Sequence, residues 1–144
     1  MFGSEKTAKV LGYAGLIPFI ILSIASWIEI PYLDNTVYAL IAYAAVILSF
    51  MGAIHWGLAM SKTDNKQSKY FIASVIPALA AWFSLLTTEF FSLIILLTGF
   101  ILLISYDLAV GKSQGFPGWY IPMRIRLTFI VVLSLIGALV SVLK

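Results

Sequence analysis

Four ionisable side chains stand where a long apolar sequence has little reason to carry them: His55, Asp107, Arg124 and Arg126. His55 is the only histidine and lies in SFMGAIHWG from Ser49, while Asp107 lies in ISYDLAV from Ile104. Charged groups in hydrocarbon are costly, and where they persist they mark relays, pathways or binding sites. The chemistry open to this set is pairing. A carboxylate only accepts, and a guanidinium presents a planar fork of N–H donors that matches it. Asp107 with Arg124 is the expected pair, and His55 can complete a cluster by donating one ring nitrogen to Asp107. Arg124 and Arg126 lie about 200° apart on a helix, so only one can face inward and the other is expected to reach lipid phosphates.

Each residue also has a plainer reading. An arginine opening a cytoplasmic helix end is an orientation and headgroup anchor, an aspartate near a helix end can be solvated, and a lone histidine can bond a neighbouring backbone or hydroxyl group. One histidine with no cysteine supplies too few ligands for a metal or haem within one chain, so no metal and no cofactor is expected. No nucleophile accompanies His55 and Asp107, which makes a membrane enzyme with His55 as base a secondary reading.

The elements that would position these groups follow from composition. The chain has 144 residues, 62% hydrophobic and 10% charged, with a mean hydropathy of +1.05, against roughly 25% charged residues in a soluble domain. Water is not the solvent for such a surface. A bilayer core of about 30 Å needs about 20 apolar helical residues, because no backbone polar group can go unpaired in hydrocarbon. Five segments meet that length, at about residues 8–28, 36–60, 69–87, 91–110 and 122–143. The expected fold is therefore all-α, a polytopic five-helix membrane domain covering residues 1–144, with connectors at Glu29 to Asn35, Ser61 to Ser68, Thr88 to Phe90 and Gly111 to Ile121.

Lysine and arginine set the orientation, since short loops rich in them stay cytoplasmic. Lys6 and Lys9, then Lys62, Lys66 and Lys69, then Lys112, Arg124 and Arg126 all fall on one side of a five-span chain, and only Lys144 falls opposite. The opposite loops carry Glu29, Asp34 and Glu89. The N-terminus is thus expected in the cytoplasm and the C-terminus outside. His55, Asp107, Arg124 and Arg126 then share the inner leaflet. The first segment has an alternative as a signal peptide, with Ser23-Ile24-Ala25 as a small-x-small site, although its apolar run continues through Trp27 and Ile28.

Packing signals accompany these spans. Ala42, Ala45, Ser49, Gly52, Trp56 and Ala59 recur every three or four residues, a stripe that lets helices approach closely, with His55 at its flank. Pro18 and Pro77 fall inside the first and third segments and are expected to kink them. Trp27, Tyr32, Tyr38, Tyr70, Phe90, Trp119 and Tyr120 lie near segment ends, where aromatic side chains anchor at the membrane interface.

The stretches LGYAGLIPF from Leu11, SFMGAIHWG from Ser49 and PGWYIPMRIRLT from Pro117 together resemble a domain-of-unknown-function family of small bacterial inner-membrane proteins with relatives among mitochondrial transmembrane proteins. The resemblance runs from the first helix to the fifth and rests on Pro18, His55, Trp56, Gly57, Trp119, Tyr120, Pro122 and Arg124. It carries no reaction with it, and implies only an energy-transducing membrane by association.

These observations give an expected site at His55, Trp56, Asp107, Trp119, Tyr120 and Arg124, half aromatic and half charged, suited to a lipid or quinone headgroup or to a partner protein. The chain is read as a non-enzymatic binding or accessory protein of the inner membrane, partnered by the bilayer and by a larger membrane complex or a second copy of itself, with no nucleic acid. A small transporter or proton-coupled permease is the first alternative. Transport needs polar groups near the midplane reachable from both sides, and here the outer half of every span is nearly bare of charge.

Overall fold

In a computed structural model the described residues are 2–28 and 35–144. They form six helical segments: α1 (Phe2–Ala14), α2 (Ile17–Ala25), α3 (Thr36–Met60), α4 (Gln67–Ser84), α5 (Glu89–Gln114) and α6 (Tyr120–Val142). Glu29 to Asp34, with Tyr32 and most of the first expected connector, lie outside the described residues. Among the described residues, Gly3–Ala25 (α1 with α2), Thr36–Met60, Glu89–Ser113 and Tyr120–Val142 are long and apolar enough to cross a membrane. The α4 segment is 18 residues long, but it opens on Gln67, Ser68 and Lys69, which dilute its apolar run.

The helix boundaries follow local chemistry. The first expected span breaks in two at Gly15 and Leu16, just ahead of Pro18, whose ring cannot follow an uninterrupted helical turn. The break is tied to α3, because the Tyr43 hydroxyl donates to the Gly15 carbonyl at 2.9 Å. Pro77 is accommodated inside α4. The α5 helix runs past the expected boundary at Val110 to Gln114, so Lys112 is helical, and it ends at Gly115 with φ 72°. That left-handed cap suits a residue without a Cβ. Pro117 and Gly118 then carry the chain into α6.

Small residues set the close approaches. A Cβ on Gly52 would lie 2.8 Å from the Pro77 ring, so the small-residue stripe of α3 is the seam against α4. A Cβ on Gly99 would meet a Leu48 methyl at 2.7 Å, which brings α5 against α3. The α5 helix also packs against α4 and α6, and α2 packs against α3 and α6. The core where they meet is built from Phe19, Leu40, Leu48, Leu93, Leu96, Phe100 and Leu135. Phe19 stands edge-on to Tyr43 and Phe100, at centroid distances of 5.1 and 6.2 Å.

The outward faces are apolar as well. Val46, Phe50, Leu102 and Phe129 are all about two-thirds exposed, at 64%, 63%, 63% and 64%. Apolar side chains spread around every long helix are the surface that lipid, and not water, would solvate.

Candidate functional site

His55 on α3, Asp107 on α5 and Arg124 on α6 meet. His55 Nε2 lies 2.7 Å from Asp107 Oδ1. Arg124 Nε donates to Asp107 Oδ2 at 3.0 Å, and Arg124 Nη2 is 2.9 Å from the same oxygen. The three residues are 0%, 1% and 3% exposed. Because the carboxylate only accepts, His55 must donate through Nε2, so the histidine and the arginine take one oxygen each. The charge of Arg124 is thereby matched inside the bundle, by the partner expected from the cost of burying either ion alone.

What surrounds this triad is less complete. His55 Nδ1, the Tyr106 hydroxyl, Arg124 Nη2 and Thr128 Oγ1 are buried side-chain atoms with no hydrogen-bond partner among the described residues. The Nη2 atom is close to Asp107 without the geometry of a hydrogen bond. Tyr106 places its ring edge-on to His55 at 4.9 Å. Elsewhere in the bundle hydroxyls bond back to their own helix, as Ser49 does to the Ala45 carbonyl, Ser105 to Ile101 and Ser134 to Ile130. Thr128, 5% exposed and one turn beyond Arg124, does not. A buried donor left unpaired costs about 1–3 kcal/mol, and these four atoms carry that cost close to one another around Arg124.

Beside the triad a chamber of about 340 Å³ opens between α1, α2, α3 and α6. Arg124 and Thr128 line it together with Trp119, Tyr120 and the apolar side chains Met51 and Met123. Gly12 and Gly15 form part of its wall. Its volume falls within the range of about 300–1,000 Å³ typical of small-molecule sites. His55 and Asp107 stand behind Arg124 and are not among the residues that line the chamber.

The expected site residues therefore separate. His55, Asp107 and Arg124 form one buried cluster, Trp119 and Tyr120 share the chamber with Arg124, and Trp56 joins neither. Trp56 is 47% exposed and packs edge-on against Phe71 of α4 at 4.7 Å. Arg126 is exposed, as its angular separation from Arg124 requires. Neither Thr128 nor Tyr106 stands out in the sequence. A hydroxyl four residues after a buried arginine, and a tyrosine beside a buried aspartate, are weak signals in helices rich in Ser, Thr and Tyr. Among the described residues no group of three His, Cys, Asp or Glu side chains is placed to hold a metal ion.

Residues 4–140 match the family described as "Protein of unknown function (DUF3429)". Similar chains include Transmembrane protein 69 of Xenopus tropicalis, 33% identical over 142 residues that cover 96% of this chain and 55% of that protein. Transmembrane protein 69 of Mus musculus is 26% identical over 144 residues, 97% of this chain and 58% of that protein. The chain spans little more than half the length of these curated relatives. No solved structure matches. The apolar helices and the family match agree, and the chain is a membrane protein that belongs to the DUF3429 family.

Proposed function

We propose that this protein is a non-enzymatic accessory protein of the inner membrane that holds an amphiphilic small molecule in the chamber beside Arg124. The observation that carries this reading is the wall of that chamber. Thr128 brings a buried hydroxyl, without a hydrogen-bond partner among the described residues, to a space otherwise lined by apolar side chains, two interfacial aromatics and Arg124. A polar head would satisfy Thr128 while a tail lies along Met51 and Phe19. The His55–Asp107–Arg124 triad acts as the rigid support that holds the Arg124 guanidinium at the chamber's edge.

In this reading α4 crosses the membrane as the third of five spans. It packs on α3, its Gln67 side chain donates to the Ala59 carbonyl at the end of α3, and Ser92 of α5 donates to Ser84 at its far end. With α3 and α5 both of spanning length, the chain needs α4 to return. Five crossings also leave the lysine-rich connectors on one face, which supports a cytoplasmic N-terminus and a cytoplasmic position for the chamber's aromatic end.

Native mass spectrometry of the full chain released from membranes in mild detergent tests the reading. A bound small molecule is expected on the protein, lost in Gly12→Phe, where the added ring enters the chamber wall, and kept in Arg126→Gln. Equal occupancy in a folded Gly12→Phe variant would refute it.

A further inference from the structure

Given an amphiphile in the chamber, its wall also selects the kind of head. Arg124 is the one cation among the lining residues, and Asp107 already pairs with it, accepting from Nε at 3.0 Å with Nη2 2.9 Å from the same oxygen. A phosphate drawn to Arg124 would have to displace Asp107 from a fully buried pair or sit beside it as a second anion. Either arrangement buries unbalanced charge, which is strongly unfavourable. A neutral head meets no such cost.

The polar side chains of the wall all carry donors: Arg124 N–H, the Thr128 hydroxyl, the Trp119 indole N–H and the Tyr120 phenol. Among the described residues no carboxylate lines the space. The complementary head is a neutral acceptor, a carbonyl oxygen above all. Trp119 and Tyr120 add flat aromatic faces, the second of them stacked on Phe116 at 4.6 Å and so held in place. Flat rings favour a planar head through offset stacking. At about 340 Å³ the chamber has room for one ring beside Arg124 and Thr128, and its open side at the exposed Leu11 and Phe50 lets a tail leave.

We infer that the chamber takes a neutral lipid with a planar, carbonyl-bearing head, of the quinone class, with a carbonyl accepting from Thr128 and Arg124 and the tail leaving along the α1–α3 side. The inference rests on the chamber being an amphiphile site, and it narrows that site to one ligand chemistry.

Tryptophan fluorescence of the full chain in detergent, titrated with a decyl-substituted benzoquinone, tests it, since quinones quench nearby indoles and Trp119 is the one tryptophan that lines the chamber. Saturable quenching is expected in the wild type, with its saturable part lost in Trp119→Phe. Loss of one hydrogen bond in Thr128→Val should weaken binding by about three- to tenfold. Added phosphatidylglycerol should not displace the quinone. Gly12→Phe, folded by circular dichroism, should abolish the saturable phase, which keeps the test decisive if Thr128→Val folds poorly. Displacement by phosphatidylglycerol, or no saturable quenching while a phospholipid copurifies in a Gly12-dependent way, would overturn the quinone class and leave the amphiphile site standing. No saturable quenching and no Gly12-dependent lipid would overturn both.

Discussion

The seam between α2 and α6 and the junction of α3, α5 and α6 are both made where apolar helices meet, yet they treat polar atoms in opposite ways. At the seam Ser23 donates to the Ser134 carbonyl at 2.8 Å, Trp27 Nε1 donates to the Gly137 carbonyl at 3.1 Å, and Ser141 bonds Ser26 at 3.0 Å. Each of these donors has found a backbone or hydroxyl oxygen, and Gly137 lets the helices close to the point where a Cβ would lie 2.8 Å from Ser23 Oγ. At the junction three ionisable groups are buried together, and four polar atoms around them have no partner among the described residues. Satisfied polar atoms act as scaffold; of the unsatisfied four, Arg124 Nη2 and Thr128 Oγ1 belong to residues that line the chamber, and in the proposed function these serve a ligand.

The largest expected effect tests the junction. Asp107→Ala leaves Arg124 buried without its counter-charge and should destabilise the protein by about 3–5 kcal/mol, read from thermal or denaturant unfolding in detergent. A cost no larger than that of removing one seam hydroxyl would erase the contrast between the two regions. Next comes Gly137→Leu at the seam, which forces α2 away from α6 and should cost about 1–3 kcal/mol by overpacking, while ligand retention in the folded fraction is unchanged. Loss of the ligand in that variant would couple the regions.

The paired hydroxyls give a smaller and sharper comparison. Ser23→Ala removes a satisfied bond and should cost about 0.5–1.5 kcal/mol. Thr128→Val in delipidated protein removes an unpaired buried group and should be neutral or stabilising by up to about 1 kcal/mol, though it weakens ligand binding. Opposite signs in the same unfolding assay are the signature. Smallest is Arg126→Gln, an exposed position that should stay within about 0.5 kcal/mol of the wild type.

Much of this was readable in the residues. The α3 boundaries at Thr36 and Met60 follow directly from hydropathy, and the cost of buried charge alone pairs Asp107 with Arg124 and His55. An angular separation of about 200° likewise turns Arg124 inward and Arg126 outward. Three features were not readable. The kink follows from Pro18, but what ties the break down, Tyr43 reaching across from α3 to the Gly15 carbonyl, is a contact between residues 28 positions apart that no local pattern encodes. Trp56 shares a sequence motif with His55 but lies on the next face of the helix, since one residue turns the chain by about 100°. The chamber is invisible to periodicity because Gly12 of α1 and Gly15 in the break after it form part of its wall, residues conspicuous only for having no side chain.

The most direct test is an experimental density map of the protein taken from native membranes. The account predicts non-protein density in the chamber within hydrogen-bonding distance of Thr128 Oγ1, with Arg124 held by Asp107. A chamber closed by its own side chains, with Thr128 bonded back to the Arg124 carbonyl, would contradict it.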